Sequence, residues 1–342
     1  MKKVFLLTLV LLLLLSTQSY SEGVKVVGDD GKTLFTVDVN IRDKQGRTLL
    51  MLTAGTSKNP EQVKALLDAG AEVNAEAPNG GTAIFFAAFN NTNPEITKLL
   101  ISASADLSVR LPNGATPLIA AAMSNTNPEV ITALIKGGAD INAEDNKGRS
   151  PLTASSMFNP NHDVMRAVIA SGADVNRRNK NDLTPLMILS SNKASPDALR
   201  ILLEASPDIN AKDKHDWTAL TFAVADDNFS RENVRLLLEA GADPNVPDDD
   251  DVTPLMWLFM HKPDAETVKL LISHGADVKA MTDSLWTALT FALMNDASPE
   301  AVRVLINAGA DTEIRDKFDK TIRDYANESK NPGVRKIFLG TK

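Results

Sequence analysis

The chain contains no cysteine and few aromatic residues. Among its 342 residues there is no Cys, and Phe, Trp and Tyr together account for 5%. The absence of cysteine excludes disulfide bonds, Cys-ligated zinc, iron–sulfur clusters and thiol nucleophiles. Because aromatic side chains are scarce, any core must be built mainly from aliphatic residues and alanine.

An excess of basic residues is also lacking. Lys and Arg number 36 against 44 Asp and Glu, which gives a net charge of -8 with His neutral. Nucleic acid is bound by cationic surfaces, so this balance argues against nucleic acid as the main partner. Hydrophobic residues at 43% and charged residues at 23% are ordinary for a globular chain and exclude a collagen-like or disordered one.

An apolar run lies close to the N-terminus. Two lysines precede it, it covers residues 4–15, and small and polar residues follow. A helix that spans a bilayer needs about 20 apolar residues, whereas this run suits the core of a signal peptide. Ser19 and Ser21 occupy the −3 and −1 positions of a small-x-small cleavage site. We therefore predict bacterial export, periplasmic or secreted, with cleavage after Ser21 and no membrane span afterwards. An uncleaved N-terminal anchor is the alternative.

The sequence repeats itself from residue 39 onward. Equivalent positions recur in seven steps of 34 residues and one of 35. These positions are Val39, Val73, Leu107, Ile141, Val175, Ile209, Pro244, Val278 and Thr312. A constant period between about 20 and 50 residues indicates a stack of supersecondary units that bury their apolar faces against their neighbours. We therefore predict one elongated repeat domain.

The repeat divides the chain into four segments. They are a signal peptide at 1–21, an N-terminal cap segment at 22–38, eight repeats over 39–311 and a C-terminal capping repeat with tail over 312–342. The last unit has polar residues such as Arg323 and Asn327 at apolar positions, which gives the polar outer face that a terminal repeat needs. In the cap segment, we expect a short β segment around Asp30-Gly31.

Each unit carries the start signals of two helices. Thr or Ser opens the first helix and is often followed by Pro, as in Thr116-Pro117. Residues that favour the N-cap position open the second helix: Asn59, Asn93, Asn127, Asn161, Ser195, Ser230, Asp264 and Ser298. An acidic residue comes two positions after this cap, and in seven of the eight units a basic residue lies three positions further on. We expect these acid–base pairs on an exposed face.

Two apolar columns complete the second helix. One begins with Leu66 and recurs through Leu305, and the other begins with Leu67 and recurs through Ile306. Apolar residues on adjacent stripes indicate packing on more than one side, so we expect both columns to be buried. A Gly such as Gly138 then ends the helix in the left-handed conformation.

Three stretches of one unit resemble the ankyrin repeat. They are Thr-Pro-Leu at 116–118, Ala-Ala at 121–122 and Gly-Ala-Asp-Ile-Asn at 138–142. The resemblance extends from residue 39 to about residue 339. It implies an all-α fold, the ankyrin-repeat α-solenoid, in which helix–turn–helix units carry β-hairpin fingers. It also implies a concave surface, formed by the fingers and the inner helices, that binds other proteins.

The sequence departs from the ankyrin pattern in three respects. The family's period is about 33 residues, and here the loop between the helices is longer, as in residues 125–128. The His that usually follows Thr-Pro-Leu is replaced, for example by Ile119. Gly before the first helix gives way to Asp late in the chain and, in the eighth finger, to Leu285. Because Leu tolerates the left-handed conformation poorly, we expect this finger to bend differently.

The sequence offers no constellation for catalysis. It contains four His, none at a metal-ligand spacing, and no HExxH, GxSxG, P-loop or dinucleotide-binding motif. The acidic run at 248–251 lacks the spacing and the Gly of an EF-hand, so we interpret it as a solvated loop. We therefore predict a protein that is not an enzyme, has no cofactor or metal, and binds no small-molecule substrate.

Two tryptophans are the first candidates for a protein-binding surface. Trp217 and Trp286 stand just before the Thr that caps a first helix, on fingers six and eight. Trp is enriched among the residues that dominate binding energy at interfaces. The alternative is that each indole packs on the neighbouring finger. Trp257 lies within a first helix, and we assign it to the core.

The second candidate is an apolar column at the end of the first helix. In the ankyrin family this column tends to face the concave groove, and adaptable Met side chains suit a partner surface. Its members are Phe89, Met123, Met157, Met260 and Met294, with Phe158 beside Met157. The alternative is that Met and Phe at this regular spacing belong to the core.

The third candidate is a separation of charge. Basic residues lie on fingers four to six, whereas finger seven carries the acidic run at 248–251. The basic residues are Lys147, Arg149, Arg177, Arg178, Lys180, Lys212 and Lys214. We interpret this separation as a polarised groove that orients a partner with an acidic patch. The alternative is a mixed surface that confers solubility.

These features predict an exported, non-enzymatic ankyrin-repeat protein that binds a partner protein through its fingers and inner helices. The partner is another envelope protein or, if the chain leaves the cell, a host protein. One alternative is an accessory factor that protects a cofactor or supplies it to a periplasmic enzyme. A second alternative is a hydrolase whose site the sequence does not reveal.

Overall fold

The structure is a computed structural model. It describes the backbone of residues 24–27 and 33–37, and both backbone and side chains of residues 38–191 and 195–339. The signal peptide predicted at 1–21 lies outside the described residues. In the part of the chain that is described, no helix is both long enough and apolar enough to cross a bilayer.

The described residues form two compact units that divide after Asp174. The first unit begins with two antiparallel strands, β1 (Val24–Val27) and β2 (Thr33–Val37), at the place where the sequence predicts a β segment. Four helix pairs follow: α1 (Leu49–Thr56) with α2 (Pro60–Asp68), α3 (Ala83–Asn90) with α4 (Pro94–Ser102), α5 (Pro117–Ser124) with α6 (Pro128–Lys136), and α7 (Pro151–Phe158) with α8 (His162–Ala170).

The second unit holds five helix pairs among its described residues. They are α9 (Pro185–Ser191) with α10 (Pro196–Glu204), α11 (Ala219–Val224) with α12 (Arg231–Glu239), α13 (Pro254–Met260) with α14 (Ala265–Ser273), α15 (Ala288–Met294) with α16 (Pro299–Asn307), and α17 (Ile322–Glu328) with α18 (Pro332–Leu339). In both units each first helix packs on the first helix of the next pair, and each second helix on the next second helix. The predicted all-α repeat fold is therefore confirmed.

The two apolar columns of the second helices differ in burial. The column from Leu66 to Leu305 is fully buried in all eight helices. The column from Leu67 to Ile306 is half-buried, except for Leu238, so the prediction that both are buried is wrong for this column. Ile101 illustrates why this column is only half-buried. It packs against Gly137 of the following pair, and Gly has no side chain to cover it.

The predicted helix caps are largely present. In the second helices of the first eight pairs, every N-cap side chain accepts a hydrogen bond from an N–H of the first turn. Among the first helices, the hydroxyls of Thr82 and Thr253 make no such bond and have no other partner. Four of the predicted acid–base pairs on the second helices form ion pairs, for example Glu95 with Lys98 at 2.7 Å and Asp197 with Arg200 at 3.2 Å.

Buried asparagines join the loops between the helices in the first unit. The Nδ2 group of Asn125 donates to the carbonyl oxygens of Ala88 and Asn91 in the preceding pair, at 2.8 and 2.9 Å. Its Oδ1 accepts the backbone N–H of Asn127 at 3.0 Å. Asn91 and Asn159 repeat this arrangement one pair before and one pair after. The longer loop predicted from the sequence therefore carries an asparagine ladder.

Each finger is a tight turn that precedes a first helix. In finger three, Leu111 N–H donates to Ala115 O at 3.0 Å, and Gly114 N–H donates to Leu111 O at 2.7 Å. Isolated β-bridges accompany the turn in fingers one and nine. Leu285 occupies the left-handed position of finger eight with φ +60°, and its turn makes the same two hydrogen bonds. The prediction that this finger bends differently is therefore wrong.

We expect Leu285→Gly to stabilise the protein by about 1 kcal/mol, because a left-handed Leu is strained and Gly is not. Four other fingers carry Gly at this position, so the turn accepts it. Thermal unfolding measures the effect. Gly80→Leu is the reverse control: a Cβ there meets its nearest neighbour, the Arg110 carbonyl oxygen, at 3.4 Å, so mainly the conformational cost remains. Destabilisation by both substitutions would contradict the argument.

Candidate protein-binding surface

The apolar column at the ends of the first helices lies at the molecular surface. Phe89 and Phe158 are each 45% exposed, Met260 and Met294 are exposed, and Met123 and Met157 are half-buried. Assignment of this column to the core is therefore excluded. In the first unit its members sit on helices that pack on one another, and Ser124 Oγ donates to Phe89 O at 3.0 Å.

Two of the predicted site residues meet at the end of α7. The guanidinium of Arg149 lies over the ring of Phe158, 5.3 Å from its centroid. Arg149 also pairs with the buried carboxylate of Asp145 at 2.5 Å. Burial acts to raise the pKa of Asp145, but hydrogen bonds from Arg149 and from the turn outweigh it and lower the pKa. This cation–π contact holds Phe158 beside a fixed positive charge.

Trp217 is half-buried on finger six and contacts two aromatic rings. Its ring centroid lies 4.7 Å from that of Trp257 and 5.1 Å from that of Phe222, both edge to face. Trp257 is half-buried rather than in the core, and its Nε1–H donates to the buried carboxylate of Asp248 at 2.7 Å. Asp248, the first residue of the acidic run, is therefore a buried hydrogen-bond acceptor and not part of a solvated loop.

Trp286 is half-buried on finger eight and bonds to finger nine. Its Nε1–H donates to Asp316 Oδ2 at 3.1 Å, and the hydroxyl of Tyr325 donates to the same oxygen at 2.5 Å. Burial acts to raise the pKa of Asp316, but these bonds and the backbone N–H groups of Lys320 and Phe318 lower it to about 2. Burial and the bond to Asp316 raise the pKa of Tyr325 to about 12.

Sequence reasoning missed a column of aromatic residues in the second unit. The fourth position of helices α11, α13, α15 and α17 holds Phe222, Trp257, Phe291 and Tyr325, and three of these contact a finger tryptophan. The column could have been found from the repeat itself, because these residues are spaced 35, 34 and 34 apart. Phe222 and Trp257 are half-buried and extend the candidate surface beside finger six, whereas Phe291 and Tyr325 are buried.

The predicted basic residues fall into two groups. Lys147, Arg177, Lys180, Lys212 and Lys214 are exposed. Arg178 is used by the fold, because its Nη1 donates to Lys212 O at 2.7 Å and to Asp182 O at 3.1 Å, which joins fingers five and six. Arg42 and Arg110 join their fingers to the next in the same way. Among the described residues, no group of His, Asp and Glu could hold a metal ion.

Family comparison agrees with the fold. A family model described as ankyrin repeats (three copies) matches residues 11–110, 84–179, 154–248 and 227–316. These matches cover most of the chain, so the chain belongs to the ankyrin-repeat family, and the resemblance inferred from its sequence is confirmed. Ankyrin repeats are in general protein–protein interaction modules and typically lack enzymatic activity. No curated protein matches the chain.

Proposed function

We propose that this protein is a non-enzymatic scaffold that binds a partner protein, and that the ends of the first helices in its first unit form a contact surface. The observation that carries the proposal is the exposure of Phe89 and Phe158 at 45% each. Most packing positions of the same unit are filled by buried aliphatic residues, and the contact of Phe158 with Arg149 still leaves its ring at the surface. Exposed large apolar side chains at regular spacing are typical of a protein-binding surface.

The proposal also places the protein outside the cytoplasm of a bacterial cell, in the envelope or secreted. The two lysines, the apolar run at 4–15 and the small-x-small site that ends at Ser21 support this location. The partner is then an envelope protein or a host protein.

Site-specific photo-crosslinking tests the contact surface. A photoreactive phenylalanine analogue replaces Phe89 or Phe158 in the full chain, expressed in the cells that make it. We expect one discrete crosslinked species from each position, with a partner that mass spectrometry identifies. The matched control places the analogue at Lys98, which is exposed on the charged face of α4 in the same unit. Absence of an adduct at both phenylalanines, or the same adducts from Lys98, would contradict the proposal.

A further inference from the structure

The tips of fingers eight and nine carry exposed apolar side chains at positions where the other fingers do not. Leu285 is 38% exposed and Phe318 is 72% exposed. The positions equivalent to Leu285 are Gly46, Gly80, Gly114, Gly148, Asp182, Asp216, Asp251 and Asp319. Those equivalent to Phe318 are Gln45, Asn79, Asn113, Lys147, Asn181, His215, Asp250 and Ser284. The repeat therefore forms its turn with small or polar residues at both positions.

The turn of finger eight does not require Leu at position 285. The residue has φ +60°, and its turn makes the hydrogen bonds that Gly and Asp support in the other fingers. A strained residue that the surrounding structure does not require is a sign of function. Because Leu285 is also exposed, the reason for an apolar side chain lies in what contacts it from outside the chain.

The two tips are neighbours. Lys317 N–H donates to Ser284 O at 3.2 Å, and the ring centroids of Trp286 and Phe318 lie 6.3 Å apart. Met281, 45% exposed, lies in the same finger, directly before the turn that contains Leu285. We name the set Met281, Leu285, Trp286 and Phe318 the tip patch. It joins two fingers into one apolar surface.

The charge around the tip patch is negative. Fingers seven, eight and nine, at 243–252, 277–286 and 311–320, contain eleven acidic and four basic residues. Arg315 pairs with Asp319 at 2.9 Å and Lys320 with Glu328 at 2.5 Å, and Asp248 and Asp316 are buried. The other acidic residues of these fingers are exposed and outnumber the two remaining bases, Lys279 and Lys317. A positively charged partner would be attracted to this surface and a negatively charged one repelled.

We propose that the tip patch docks a segment of the partner protein in which large apolar side chains stand next to Lys or Arg. The inference rests on the proposed binding function and adds the chemistry of the partner. The apolar side chains of the segment cover Leu285 and Phe318, and its cations face the acidic fingers. The charges favour encounter and orientation, whereas the apolar contact provides most of the affinity.

Peptide binding to the purified full-length protein tests this inference. The probe is a short fluorescent peptide of alternating Leu and Lys, and the comparison peptides alternate Leu with Glu and Ser with Lys. We expect the Leu–Lys peptide to bind, with weaker binding at high salt, and the other two to bind at least about tenfold more weakly. Fluorescence anisotropy measures the dissociation constants.

Variants taken from the chain's own repeats locate the site. Leu285→Gly and Phe318→Asn each introduce a residue that other fingers hold at that position, so the fold is expected to persist, and circular dichroism checks it. We expect the double variant to weaken binding of the Leu–Lys peptide about tenfold or more, as loss of two apolar contacts implies. Phe158→Ser, which introduces the residue found at the equivalent Ser124, is expected to leave binding unchanged.

Several results would overturn the inference. If the Leu–Glu peptide binds as tightly as the Leu–Lys peptide, the prediction that the partner segment is positively charged is wrong. If the double variant binds the Leu–Lys peptide as tightly as wild type does, the tip patch is not the binding site. Phe158→Ser tests the other candidate surface: loss of binding in this variant alone would assign the peptide to the first-helix ends, so the proposed function would stand and this inference would fall. A dimer that dissociates in the double variant, seen by light scattering, would make a second copy the occupant.

Discussion

Asn125→Ala is expected to lower the free energy of unfolding of the first unit by about 3 kcal/mol. The substitution leaves the buried carbonyl oxygens of Ala88 and Asn91 without their donor and the N–H of Asn127 without its acceptor. Each buried polar group that loses its partner costs about 1–3 kcal/mol. Urea unfolding followed by far-ultraviolet circular dichroism measures the loss. Tryptophan fluorescence would not report on the first unit, because the tryptophans of the chain all lie beyond residue 174.

Two controls separate the hydrogen bonds from other effects. Asn127→Ala removes a half-buried N-cap in the same loop, together with its bond to the Thr92 carbonyl oxygen, and we expect it to cost only about 1 kcal/mol. Asn125→Asp fills the same volume but places a carboxylate against two carbonyl oxygens, so it should be no better than Ala. If Asn125→Ala costs no more than Asn127→Ala, or if Asp restores the stability, the ladder does not stabilise the stack.

Local signals account for what the sequence predicted correctly. The cap residues, the Gly at the end of the second helix and the column from Leu66 to Leu305 each depend on chemistry within one repeat. Nine copies of that repeat make the pattern unambiguous. The left-handed Gly138 is such a case, with φ +100° and no other atom within 4 Å of the place where a Cβ would lie. The period then fixes which helices pack on which.

The errors arise where a tertiary contact or the geometry of a whole turn decides the outcome. Asn125 reads as a polar loop residue, and only the carbonyl groups of the preceding pair make it a buried, fully bonded side chain. Leu285 follows the turn of its finger because the hydrogen bonds of that turn outweigh the strain of one residue. Trp257 is half-buried because its indole N–H bonds to Asp248, nine residues earlier in the chain. None of these partners is visible from the local sequence.

The placement of the candidate site was predictable in part. The position of Phe89 and Met294 at the ends of the first helices follows from the repeat, but their exposure depends on how far the next loop covers them. The roles of Trp217 and Trp286 were not predictable, because their contacts come from the adjacent helix and finger. The hydrogen bonds by which Arg178 joins fingers five and six were not predictable either.

Asp316→Ala is expected to destabilise the last helix pair, α17 with α18, by about 3 kcal/mol. Asp316 is 8% exposed, and its carboxylate accepts hydrogen bonds from Trp286, Tyr325 and two backbone N–H groups. Removal leaves these donors unpaired in a buried place. Because a terminal repeat has one neighbour only, we expect the loss to appear as local opening. Hydrogen exchange of residues 322–339 measures it.

The pH dependence of this contribution follows from the lowered pKa. The carboxyl of Asp316 has a pKa of about 2 in the folded protein against 3.8 for an ordinary Asp. A group whose folded pKa is lowered stabilises the fold above its unfolded pKa and loses that effect as the pH falls through the folded value. The stability difference between wild type and Asp316→Asn should therefore be full at pH 7, shrink below about pH 4 and be lost below about pH 2.

The neighbouring Asp319 provides the matched control, because it is an acidic residue of the same finger whose side chain is 87% exposed. Asp319→Asn breaks an exposed pair with Arg315, and such pairs contribute at most about 1 kcal/mol. Asn also tolerates the left-handed conformation that this position adopts. If the difference between wild type and Asp316→Asn stays constant from pH 7 to pH 2, the ionised carboxylate is not the group that holds Trp286 and Tyr325 together.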